Sequence, residues 1–185
     1  MTWIKMIEEE KAEGKLKKLY KKMANPTNQK VANVLKVHSI KPDILEAHFN
    51  LYRKIMFGKS NISRKQREMI AVLVSSVNEC HYWIEHHGAA LHKLIDQKNL
   101  KKEIIHNYQA SKKLTKKEKI MLDYAKSLTI KPTSVKENII KKLKNIGFSD
   151  EDILDINQVV SYFNYVNRIV EGLGVNLETE GGNSD

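Results

Sequence analysis

Apolar residues along this chain recur with the spacing of an α-helix almost from end to end. Leu16, Leu19, Tyr20 and Met23 fall at i, i+3, i+4 and i+7 with lysines between them, and Asn25-Pro26 closes that segment. Val31, Val34, Leu35 and His38 give a second, shorter stripe. Pro42 stands where a helix can begin, and Leu45, His48, Phe49, Tyr52, Ile55 and Met56 continue one face up to Gly58. Ser63 followed by Gln66 reads as a capping box. The helix it opens carries Met69, Ile70, Val72, Leu73, Val74 and Val77, apolar on nearly every side, which predicts a buried central element. Asn78 then reads as the N-cap of the next helix, with Cys80 in its first turn.

The second half repeats the pattern. Thr115 with Glu118 opens a helix bearing Ile120, Met121, Tyr124 and Leu128, which stops before Pro132. Ser134 with Glu137 opens another, carrying Ile139, Ile140, Leu143 and Ile146 and ended by Gly147. Ser149 starts a last helix to about Glu171, with Ile153, Ile156, Val160, Phe163, Val166 and Val170 inside. The pattern predicts an all-α chain with a single compact helical domain over residues 1–176. Residues 177–185, acidic and Gly-rich, are expected to form a disordered tail.

Composition agrees with long helices, since three prolines and eight glycines leave little punctuation for many short strands. The longest apolar stretch, Met69 to Val74, is far too short for a bilayer. The N-terminus lacks the basic-then-apolar order of a secretion signal, so a cytoplasmic location is expected. The net charge of +10 comes from lysines spread over nearly every segment. No nucleic-acid recognition pattern accompanies it, so lysine-coated helices explain it and a nucleic-acid partner is not expected. With one cysteine, Cys80, the chain cannot close a disulfide on itself or run a two-thiol cycle alone.

The stretch from Glu68 to His92 concentrates the candidate chemistry. Cys80 and His87 are seven residues apart, two helical turns, and so share a face. A thiol at a helix start feels the positive end of the macrodipole, which favours the thiolate, and an imidazole on the same face can take or return its proton. Glu68, on the preceding buried helix, needs a polar partner. Together Glu68, Cys80 and His87 would make a proton relay feeding a nucleophilic sulfur. Plainer roles exist for each: Cys80 as a small buried hydrophobe, His87 as a satisfied core imidazole, Glu68 in an ion pair with Arg64 or Lys65. Tyr82, Trp83, Tyr162, Phe163 and Tyr165 read first as packing, and Asn164, Asn167 and Arg168 as inward-facing polar residues. His81, Glu85 and His92 lie near one stripe, but the outer two are too far apart to converge on an ion, so no metal site is expected.

Arg67-Glu68, then Cys80 twelve residues beyond the glutamate, then His87, resembles the alkylhydroperoxidase (AhpD) and carboxymuconolactone decarboxylase superfamily. Its pattern is Arg-Glu, a Cys-x-x-Cys, and a histidine four residues past the second cysteine. Tyr20, the Asn33-to-Pro42 stretch, Leu51-Tyr52 with Met56, and Tyr162 through Arg168 ending in Gly172-Leu173-Gly174-Val175 are similar to its peroxidase-related branch. The resemblance implies an AhpD-like helical bundle and a homo-oligomer, whether dimer, trimer or hexamer. It also implies thiol-dependent reduction of organic hydroperoxides with no metal or organic cofactor. Trp83 occupies the place of the second cysteine, the one usually assigned in that family as attacking the peroxide, and Cys80 matches the first, so the resemblance does not carry over the disulfide cycle. A one-cysteine version would form a sulfenic acid on Cys80 and need an external thiol reductant to restore it. Two other readings keep the fold: a cysteine-independent lyase in which His87 or Glu68 moves protons, and an inactive helical oligomer whose lysines bind an acidic partner.

Overall fold

The structure, a computed structural model, describes residues 2–95 and 99–178. These residues form nine α-helices and no strand, the all-α class that the periodicity predicts with one helix, α6, beyond those it marks. They are α1 Gly14–Met23, α2 Asn33–Lys36, α3 Pro42–Phe57, α4 Arg64–Val77, α5 His81–Leu94, α6 Leu100–Asn107, α7 Lys116–Ile130, α8 Glu137–Asn145 and α9 Asp150–Leu173. Among the described residues no helix is long and apolar enough to cross a membrane. The chain divides into two compact units, one of residues up to Arg53 together with those from Arg168 onward, the other Lys54–Asn167.

In the first unit Ala12, Leu16, Leu19, Tyr20, Met23, Val31 and Leu45 are buried together, which is the α1 stripe closed against the start of α3. Buried Tyr20 satisfies its hydroxyl by donating to the Ile7 carbonyl at 2.8 Å. His38 and His48 are both buried with ring centroids 4.6 Å apart, and His38 Nδ1 lies 2.9 Å from the Val34 carbonyl, to which it donates. Asn33 donates through its backbone N–H to the Glu178 carboxylate at 2.7 Å and through Nδ2 to the Asn176 carbonyl at 3.0 Å. The remainder of the expected tail, residues 179–185, lies outside the described residues. Arg168 is exposed rather than inward-facing, because its position on α9 turns away from the face that buries Val166 and Val170.

The second unit is organised by α4. Met69 through Ser75 are all buried, and the helix packs against α5, α6 and α7, the central position that its all-round apolar surface requires. Its start is held by the expected capping box: Ser63 Oγ accepts the Gln66 N–H at 3.2 Å and Gln66 Oε1 accepts the Ser63 N–H at 2.9 Å. Ser63→Ala is expected to lower stability by about 1 kcal/mol in urea unfolding, and no change would mean that water replaces the cap. Arg67 is buried and donates to three carbonyls, Ile62 at 2.9 Å, Ile55 at 3.0 Å and Gly58 at 2.9 Å. It thereby ties the end of α3 and the following turn to the first turn of α4.

Thr115 and Glu118 form the second capping box as expected, at the start of α7. Ser134 does not cap α8. It sits in a short 3-10 helix, Pro132–Ser134, and its hydroxyl is spent on the Lys131 carbonyl at 2.7 Å, so α8 begins after Lys136 with no side-chain cap. Helix α6 carries too little apolar periodicity to be read from sequence, since it buries just Leu100 and Ile104.

Candidate active site

Helix α4 ends in a left-handed turn that sets the position of the sulfur. Asn78 closes α4 instead of opening α5, and Glu79 takes φ 56. The Cys80 N–H reaches back to the Ser75 carbonyl at 2.9 Å and the Glu79 N–H to Ser76 at 3.1 Å, the paired bonds of a Schellman ending. Glu79 adopts a conformation that costs a non-glycine residue roughly 1–2 kcal/mol. The Asn78 amide donates through Nδ2 to Asn164 Oδ1 at 3.2 Å. Cys80 is therefore the N-cap of α5 rather than a first-turn residue, with its carbonyl accepting the Ile84 N–H at 3.1 Å and no exposed surface. The thiol still lies at the positive end of the α5 dipole.

One turn into α4 and two turns into α5, Glu68 and His87 meet. His87 Nδ1 and Glu68 Oε2 form a direct hydrogen bond, and both side chains are buried. The other carboxylate oxygen accepts Arg64 Nε at 2.6 Å, with Arg64 Nη2 also in ionic contact. Arg64 is steadied by the Phe57 ring, its guanidinium carbon 3.8 Å from the ring centroid. Burial pushes the Glu68 pKa up, but the hydrogen bond and charge of His87, followed by those of Arg64, outweigh burial and hold the carboxyl below its usual value. An anionic, acceptor-only Glu68 fixes the proton on His87 Nδ1 and leaves Nε2 as the nitrogen that gives or takes a proton. Lys65, the other partner considered for Glu68, pairs with Glu118 at 3.0 Å instead.

Aromatic rings enclose the imidazole. Trp83 stacks on His87 with centroids 5.1 Å apart and planes 28° apart, and Phe163 meets both rings edge-on, at 4.6 Å from His87 and 5.8 Å from Trp83. Among the described residues neither His87 Nε2 nor Trp83 Nε1 has a hydrogen-bond partner, and both atoms are buried. The relay expected from sequence thus has its carboxylate–imidazole half joined by a hydrogen bond, while none links His87 Nε2 to the Cys80 sulfur. His81 and His92 are exposed and Glu85 pairs with Lys101 at 2.7 Å; among the described residues no cluster is spaced to hold a metal ion.

The family model for the carboxymuconolactone decarboxylase family matches residues 42–106, which include Glu68, Cys80 and His87. An uncharacterised peroxidase-related protein from Silicibacter sp. TM1040 is 33% identical over 88% of this chain and 84% of its own, with a TM-score of 0.81. The chain belongs to the carboxymuconolactone decarboxylase family. Two further solved structures share the fold. One is an alkylhydroperoxidase AhpD core, a peroxidase-related protein from Ralstonia eutropha JMP134, at 24% identity, 96% and 92% coverage and TM-score 0.86. The other is the debrominase Bmp8, at 18% identity, 88% and 86% coverage and TM-score 0.75. None of the curated proteins matches. In this member of the family the place of the second cysteine in the resembling pattern holds the Trp83 ring that covers His87.

Proposed function

We propose that this family member reduces organic hydroperoxides through Cys80 alone, with an outside thiol completing each cycle. The observation that carries the reading is the buried Glu68–His87 pair, which presents a proton-transferring nitrogen on the same helix as a thiol at its N-terminus. The peroxidase-related name of the 33%-identical relative points the same way. In the first step the Cys80 proton passes to His87 Nε2, through substrate or an intervening water, and the thiolate attacks the terminal oxygen of the hydroperoxide. The O–O bond breaks, the sulfur becomes a sulfenic acid, and the departing alkoxide takes the proton back from His87 to leave as an alcohol. An external thiol then displaces water from the sulfenic acid to give a mixed disulfide. A second thiol releases Cys80 and leaves as the oxidised disulfide.

Purified protein supplied with cumene hydroperoxide and dithiothreitol is expected to consume peroxide. Cys80→Ser abolishes this, and His87→Gln lowers kcat/KM by about 10²–10⁴-fold. Peroxide consumption at the same rate in Cys80→Ser, or none in the wild type, overturns the proposal. A second reading, a cysteine-independent lyase, is favoured by one observation: His87 Nε2 is not hydrogen-bonded to the sulfur. Turnover of a small lactone that survives Cys80→Ser and is lost in His87→Gln would select it.

A further inference from the structure

We infer that the Trp83 indole N–H and His87 Nε2 together seat the hydroperoxide group, the indole donating to one oxygen while the imidazole accepts the O–H proton. This rests on the hydroperoxide reading above and names how that substrate is held. A tryptophan that merely filled the space of a missing cysteine would satisfy its N–H on a carbonyl or face it to solvent, as buried tryptophans do. Trp83 does neither: it is 6% exposed and its Nε1 has no partner among the described residues. Its stacking neighbour, 3% exposed, carries the second orphan, Nε2, on the side of the ring opposite the nitrogen held by Glu68.

A donor without an acceptor and a basic nitrogen without a donor thus belong to two rings whose centroids are 5.1 Å apart. The group that completes both has an acceptor oxygen and an O–H close together, which –O–O–H supplies on adjacent oxygens. A carboxylate supplies acceptors but no proton for Nε2, and its charge is disfavoured beside rings this deeply buried. Phe163, edge-on to both rings, offers the apolar wall against which an alkyl or aryl substituent packs. Trp83 is then a positioning residue for substrate, and the substitution that removes the second sulfur supplies a hydrogen-bond donor in its place.

The test uses Cys80→Ser protein, which binds without reacting, titrated with cumene hydroperoxide and followed by proton–nitrogen correlation spectra. The chain has two tryptophans, so Trp3 serves as the internal control. The Trp83 indole resonance is expected to shift saturably while that of Trp3 stays in place. Cumene, which lacks the oxygens, leaves both unmoved. In the wild-type background Trp83→Phe keeps a flat ring over His87 and raises KM for cumene hydroperoxide by about 3- to 10-fold, more than it lowers kcat. No indole shift, an equal shift with cumene, or an unchanged KM overturns the inference. A saturable shift with no turnover by the wild type leaves the seat standing and removes the thiol-peroxidase reading; turnover without shift and with unchanged KM does the reverse.

Discussion

Glu68→Gln is expected to remove about 3–5 kcal/mol of stability and most of the turnover, because it leaves partners of a buried ion pair without their charge. Both oxygens of Glu68 are acceptors for donors, Arg64 on one side and His87 on the other, and the carboxylate has no exposed surface. An amide of the same shape offers one acceptor and one donor, so its NH2 group either faces the Arg64 N–H or takes His87 Nδ1 as acceptor, which moves the imidazole proton to Nε2. The imidazole then loses the proton assignment that keeps Nε2 basic. Because the folded-state pKa of Glu68 lies below its usual value of 4.5, its contribution is fully present above that pH and is lost as pH falls through the folded value. Urea midpoints for wild type and variant measure both effects. A loss below about 1 kcal/mol at pH 7 would mean that Glu68 does not anchor the pair.

A second acid sensitivity belongs to the other unit and opens at higher pH. Burial lowers the pKa of His38, and burial followed by the neighbouring charge of His38 lowers that of His48 to about 3. Both imidazoles are neutral in the fold, whereas the unfolded chain takes up protons from pH 6.5 downward. Their stabilisation is complete above that pH and declines as pH drops towards the folded values. For His48 the loss reaches about 2–3 kcal/mol by about pH 4.5. His48→Asn flattens this limb, so variant and wild type converge as the solution is acidified. Equal pH slopes in the two proteins between about pH 6.5 and 4.5 would contradict it.

The sequence made the centre of the second unit readable and its joints hard to read. Helix α4 announces itself because residues buried on all sides leave a continuous apolar run, and its Ser63 and Gln66 act locally, over one turn. That Glu68 needs a partner is legible, since a buried carboxylate must find one and the helical repeat puts Arg64 within reach, while its hydrogen bond to His87, on the next helix, has no local spacing to mark it. The turn between α4 and α5 is unmarked too, because the left-handed residue is Glu79 where a glycine would have been the signal, and Asn78 serves a distant Asn164. The same applies to the partners of Asn164 and Asn167. Asn167 takes the Ser75 hydroxyl at 3.2 Å and Asn164 donates to Thr129 Oγ1 at 3.1 Å, partners that only the folded chain brings near. The meeting of His38 with His48 has no local signature, as each fills an apolar position in its own stripe.

Arg64 gives the interior of this protein a line to the outside. Its side chain is 27% exposed, while the carboxylate it grips has no exposure and the imidazole beyond has almost none. A partly exposed guanidinium thus touches a fully buried acid. Dissolved anions that compete for that cation are expected to loosen its hold on Glu68, which makes the anchoring of the buried carboxylate responsive to ionic strength.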